Sequence, residues 1–269
     1  GQALVALLTG LPAGVPVSSS GLARELWRRQ QGYGRGGRMK IETDEAEIIA
    51  GVRHSQTIGA PVAILIRNRD WENWTQALPV DDYPGSEGHR KPVLRPRPGH
   101  ADLAGALKHD FHDARYILER ASARETTARV AAGALAKAFL REFGIEVLSH
   151  VVQVGSVRLD RPVAWEEIAA LAARDEVLLG CVDAEVERRM KEVVDQAYRE
   201  GDTVGGVFEV VAHGVPPGLG THAAWDRRLD GRIAQAIMSI QAVKGVEIGA
   251  AAEAAAAFGS RVQDTIHYD

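Results

Sequence analysis

A single cysteine, Cys181, stands among the 269 residues, so no disulfide can close within the chain and a reducing compartment, the cytoplasm, is the expected setting. Long apolar runs are lacking too. The run at residues 3–8 has no basic segment before it, and the alanine-rich stretch 250–257 is broken by Glu253. A membrane span needs roughly 18 or more such residues, so no membrane partner is expected. Charge of one sign is also scarce: a formal net charge of -4 excludes a surface built throughout to coat nucleic acid, so any anion site must be local. No cysteine or histidine pair has structural zinc spacing, and no metal is expected. A strand-to-helix Gly-x-Gly-x-x-Gly dinucleotide turn and a Gly-Lys-Ser/Thr phosphate loop are both missing, which leaves the familiar nucleotide folds unsupported.

What is present reads as an α+β chain. Residues 2–9 are strand-like, and Gly10-Leu11-Pro12-Ala13-Gly14 forces a turn. Ser18 to Ser20 can cap a helix carrying Leu22, Leu26 and Trp27 and ending near Gly32. Residues 47–54 and 61–68 predict an antiparallel hairpin, 79–99 a loop, and about 101–143 a helical stretch. A strand over 145–159, helices over 164–174 and 183–200, and a strand over 204–212 follow. Gly214-Val215-Pro216-Pro217-Gly218 then mirrors the first turn, again ahead of a basic helix at 225–238. Either this is a duplicated strand-turn-helix unit with pseudo-twofold symmetry, or it is a common turn used twice.

Three clusters carry chemistry. Arg24, Arg28, Arg29, Arg35, Arg38 and Lys40 face only Glu25, and four glycines between 32 and 37 let a backbone approach an anion. This is phosphate or carboxylate recognition, or else a solvated basic helix end and a flexible loop. Arg95-Pro96-Arg97-Pro98-Gly99-His100-Ala101-Asp102 sets a histidine on a stiff loop at a helix start, where His100 can serve as a proton donor or simply lie at the surface. Asp102 either caps that helix or orients the ring. In Glu119-Arg120-Ala121-Ser122-Ala123-Arg124-Glu125-Thr126 the small residues leave room for a planar ligand, and Arg120 and Arg124 share a helix face; an exposed helix with charge pairs fits the same text.

Together with Met238-Ser239-Ile240-Gln241-Ala242-Val243-Lys244-Gly245-Val246-Glu247, these motifs resemble chorismate synthase along the whole chain. The resemblance implies a β-α-β sandwich, with a helical core between antiparallel sheets and an internal repeat, in a single domain and a homotetramer. It also implies the reaction: anti-1,4-elimination of phosphate from 5-enolpyruvylshikimate 3-phosphate, giving chorismate with reduced FMN and no net redox change. By motif match, His100 is one of the family's two active-site histidines. Arg29, Arg35, Arg38, Arg97, Ser122 and Arg124 meet the substrate, and Arg120, Ala121, Ser122, Gln241 and Ala242 line the FMN. Arg29 and Arg35 meet the phosphate of NADPH in members that use it to reduce flavin. A nucleic-acid module is disfavoured because Tyr33 is the only aromatic residue in the basic loop; another phosphate-ester enzyme on this scaffold is the remaining rival. The family's first motif ends Gly-Glu-Ser-His-Gly, whose last glycine matches Gly1, and the family runs on beyond Asp269. The 269 residues by themselves are therefore expected to be inactive.

Overall fold

The computed structural model describes residues 1–35 and 43–268, and two units are distinguished, Gly1–Val215 and Pro216–Asp269. The first is built on an antiparallel sheet in which β6 (Val62–Arg67) lies between β1 (Ala3–Leu8) and β3 (Ala46–Ala50). Period-two patterning sets its buried face: Val62, Ile64 and Ile66 are fully buried, while Val5 and Leu7 of β1 point to the exposed side. Helices α1 (Ser19–Gln30) and α4 (Glu125–Arg141) cover the buried face, with Leu22, Leu26, Ala131, Ala134 and Leu135 in one apolar cluster with β6. The small Ala131 and Ala134 let α4 lie close to its neighbours. Ser18 caps α1 as expected, its hydroxyl accepting from the Gly21 amide at 3.0 Å.

The hairpin expected over 47–54 and 61–68 exists as the β3–β6 pair, but residues between them make a further small hairpin. Its strands, β4 (Val52–Arg53) and β5 (Gln56–Ile58), pair with each other, and β5 also pairs with β2 (Ala13–Pro16). The helical stretch expected over 101–143 divides into three helices: α2 (Asp102–His109), α3 (Arg115–Arg120) and α4. Short polar side chains break it. Asp110 takes a left-handed φ of 54° at the end of α2, Asp113 accepts from the amides of Val93 and Arg115, and the Ser122 hydroxyl accepts from the Arg124 amide. The strand expected over 145–159 likewise folds back at Gly155 into β7 (Glu146–Val154) and β8 (Val157–Arg158).

Strand β7 is the centre of a second antiparallel sheet, flanked by β8 and β9 (Gly206–His213) and packed by α5 (Trp165–Ala172) and α6 (Ala184–Glu200). Because α4 touches both β1 and β7, helices lie between antiparallel sheets, the α+β arrangement expected. The second unit contains α7 (Leu229–Met238), preceded by a 3-10 turn at Trp225–Arg227, and α8 (Ala251–Ala256). The matching turns share a backbone feature: Gly10 and Gly14 have φ of 87° and 88°, and Gly214 and Gly218 have 75° and 92°. No strand equivalent to β2 follows the second turn among the described residues. No helix among the described residues is long and apolar enough to cross a membrane.

Gly51 marks a close approach. Its φ is 84°, and a β-carbon there would lie 2.4 Å from the Pro61 carbonyl oxygen. Gly51→Ala is expected to destabilise the protein by about 2 kcal/mol or more, combining left-handed strain with a backbone clash. Denaturant titration checks this, and an unchanged midpoint would show that the two strands can separate at no cost.

Candidate active site

The last turn of α1 carries two arginines that face different ways. Arg28 returns to Glu25 at 3.2 Å, and Lys137 on α4 meets the same carboxylate, so this side serves helix packing. Arg24 does the same at the other side, donating to the carbonyls of Ala172 and Arg174 while its guanidinium lies over Trp27. Arg29 reaches instead to the start of α4. Its guanidinium donates to Thr126 Oγ1 and to the Ala123 carbonyl, and pairs with Asp44 at 3.1 Å.

Arg124, just before α4, pairs with the other oxygen of Asp44 at 2.7 Å and donates to the Arg67 carbonyl. Asp44 precedes β3, and its side chain is 1% exposed, against 12% for Arg29 and 13% for Arg124. The group thus ties together α1, α4 and the sheet. Arg35 adds a third cation, its guanidinium donating to the Arg29 carbonyl. Desolvation, and then repulsion by Arg29, lower the Arg35 pKa, although much of the residue faces solvent. These three arginines and one aspartate carry a formal charge of +2, which suits an incoming anion.

Arg120, Ser122 and Arg124 border a cleft of about 110 Å³ whose other walls include Leu118, Trp74 and Arg115. Arg120 is largely exposed, Ala121 ends α3, and the Arg115 guanidinium lies 5.2 Å from the Trp74 ring centre. Glu119 and Glu125 also line it, so the cleft sets apolar walls beside cationic donors, a hydroxyl and two carboxylates. Gln241 and Ala242 belong to the second unit, where Ala242 holds a left-handed φ of 69° that costs an alanine roughly 1–2 kcal/mol. Arg38 lies outside the described residues.

Arg97 and His100 form a separate group. No hydrogen bond or ion pair among the described residues joins them to the Asp44 group. Arg97 pairs with Asp102 through Nε and a terminal nitrogen, at 2.8 and 3.0 Å, and its amide donates to the same carboxylate. Asp102 therefore neither caps α2 with its side chain nor hydrogen-bonds the His100 ring, as the sequence suggested; it is the first residue of α2, fully buried, and it holds Arg97. The His100 Nδ1 lies 2.9 Å from the Pro98 carbonyl. Because a carbonyl can only accept, the proton of the neutral ring belongs on Nδ1, and Nε2 remains to exchange a proton with a ligand.

Sequence reasoning missed Asp44, Thr126, Trp74 and Arg115. Asp44 follows Glu42 and precedes Glu45, and nothing in that acidic run marks which carboxylate is buried. The tyrosine of the basic loop also has a role the pattern did not reveal. Tyr33 docks on α6, its amide bonding to the Leu178 carbonyl, its hydroxyl to Asp195 at 2.6 Å, and its ring lying under Lys191.

The Arg97 hydrogen bond lowers the Asp102 pKa from 3.8 to about 2. A depressed carboxyl pKa contributes stability above the unfolded value and loses it as pH falls through the folded one. Asp102→Asn is therefore expected to cost about 1–3 kcal/mol at neutral pH, with the deficit shrinking between about pH 4 and pH 2. Unfolding measured across that range tests it; a deficit independent of pH would remove the ionic role.

The family model described as chorismate synthase matches residues 1–269. The chorismate synthase of Solibacter usitatus (strain Ellin6076) is 75% identical over 269 residues, covering 100% of this chain and 69% of that protein. That of Koribacter versatilis (strain Ellin345) is 66% identical over 270 residues, with 100% and 68% covered. A solved crystal structure of a chorismate synthase matches with a TM-score of 0.81 at 43% identity, covering 100% of this chain and 71% of that one.

Proposed function

The chain belongs to the chorismate synthase family, and on that premise we propose that the arginines gathered on Asp44 bind the anionic groups of 5-enolpyruvylshikimate 3-phosphate while it loses phosphate to become chorismate. As a carbon–oxygen lyase of the shikimate pathway, the enzyme must bind a substrate with one phosphate and two carboxylates. It must also stabilise the charge that grows on the departing phosphate. The observation that carries the reading is the convergence of Arg29 and Arg124, far apart in sequence, on one buried carboxylate. A guanidinium about 4 Å from a phosphate is worth roughly 4 kcal/mol at an effective dielectric of 20, before desolvation. Several such contacts are needed for a polyanion.

Arg29 and Arg124 are each held by the protein's own groups, so little reorganisation accompanies the reaction. Arg35 supplies further positive charge, and Arg38 and Arg97 are assigned to the substrate by motif match alone. His100 holds or releases a proton at Nε2. Arg120, Ala121 and Ser122 would hold FMN, the cleft beside Ser122 taking part of it; Gln241 and Ala242 are assigned to FMN by motif match alone. Reduced FMN, when bound, supplies electron density that assists phosphate departure without net oxidation. Arg35, the more exposed of the two arginines, fits a nicotinamide phosphate better than Arg29 does, with NADPH serving as flavin reductant.

Homotetramer assembly is supported by the exposed apolar side chains Val5, Leu7 and Ile49 of the first sheet. The cytoplasm is supported by the single buried cysteine, Cys181.

Anaerobic assay of the intact protein with reduced FMN and 5-enolpyruvylshikimate 3-phosphate tests the reading. Arg29→Ala or Arg124→Ala is expected to lower turnover on the order of a hundredfold or more with the fold retained. A folded variant turning over at a near-normal rate would contradict the role of that arginine.

A further inference from the structure

Asp44 is the least exposed charged group of the cluster and touches two arginines at once. Its Oδ2 meets Arg29 at 3.1 Å, with Thr127 Oγ1 at 3.5 Å, and its Oδ1 meets Arg124 at 2.7 Å. Two guanidiniums so close repel each other, and a carboxylate between them removes that repulsion. Each arginine is also tied elsewhere, Arg29 to Thr126 and Ala123, and Arg124 to the Arg67 carbonyl. Both long side chains are thereby fixed at more than one point, at a site where the ligand's own charge would otherwise have to order them.

We propose that Asp44 is a positioning residue for the reaction: without touching substrate, it sets the geometry in which Arg29 and Arg124 meet the substrate's anionic groups. This rests on the reading that those two arginines bind substrate. The sign of the effect separates positioning from simple charge. Removing the carboxylate raises the local positive charge, so charge alone would tighten anion binding and preserve or improve the reaction. Loss of position weakens the reaction even as the charge grows more favourable.

The test uses the intact protein with reduced FMN under anaerobic conditions. Asp44→Asn keeps the shape and one acceptor oxygen but loses the charge. It is expected to lower kcat/KM roughly tenfold or more, with a fall in kcat, while inhibition by inorganic phosphate does not weaken. Its effect should shrink in an Arg124→Ala background, because residues acting as one unit are not additive. Asp44→Glu keeps the charge and moves the carboxylate by one methylene, and it too should lose turnover roughly tenfold.

A folded Asp44→Asn variant within about twofold of the native kcat/KM, or fully additive effects with Arg124→Ala, overturns the proposal. If the asparagine variant does not fold, a glutamate variant at native rate overturns it equally. Arg124→Ala run in parallel separates the two levels. An inactive Arg124→Ala beside a fully active Asp44→Asn sinks only the role of Asp44, whereas a fully active Arg124→Ala sinks the reading of the site itself.

Discussion

A carboxylate with almost no exposure, held between two guanidiniums, joins the fold to the chemistry. Asp44 receives Arg29 from the end of α1 and Arg124 from the start of α4, just where the chain enters β3. Burying one charge is costly, and removing one partner from such a group typically costs about 3–5 kcal/mol, because the others are left uncompensated. The apolar packing of α1 and α4 on β6 has to hold these helix ends in register for the group to form. The same leucines and alanines that close the core therefore set where the cations point.

Around this group the remaining cations divide by the work they do. Arg24 and Lys137 fasten helices to their neighbours, Arg28 pairs with Glu25 on its own helix, and Arg97 is held by Asp102. Arg35 leans back on the Arg29 backbone, its loop anchored on α6 through Tyr33. A basic stretch that looks uniform in sequence thus contains members with quite different partners: neighbouring carbonyls, a carboxylate on the same helix, and the buried Asp44.

Much of this architecture was legible in advance because local chemistry and tertiary packing agree. Ser18 caps α1 where expected, β3 and β6 pair antiparallel where a hairpin was expected, and the glycines of both matching turns take positive φ. The helical stretch over 101–143 misled because alanine-rich helix-forming text hid the breaks made by Asp110, Asp113 and Ser122, whose side chains act on the backbone only in a particular tertiary setting. For the site, Arg29 and Arg124 meet on Asp44 and Arg35 bonds to the Arg29 backbone, whereas His100 and Arg97 lie on a loop with its own partners. Asp44 was illegible because its burial depends on long-range contacts, and single-sequence periodicity carries no record of those.

The most direct measurement is a crystal structure of the intact protein with flavin and 5-enolpyruvylshikimate 3-phosphate bound. The account expects an anionic group of the substrate within hydrogen-bonding distance of the Arg29 or Arg124 guanidinium while both remain paired with Asp44. A substrate bound elsewhere, with those arginines facing only Asp44 and the backbone, would contradict it.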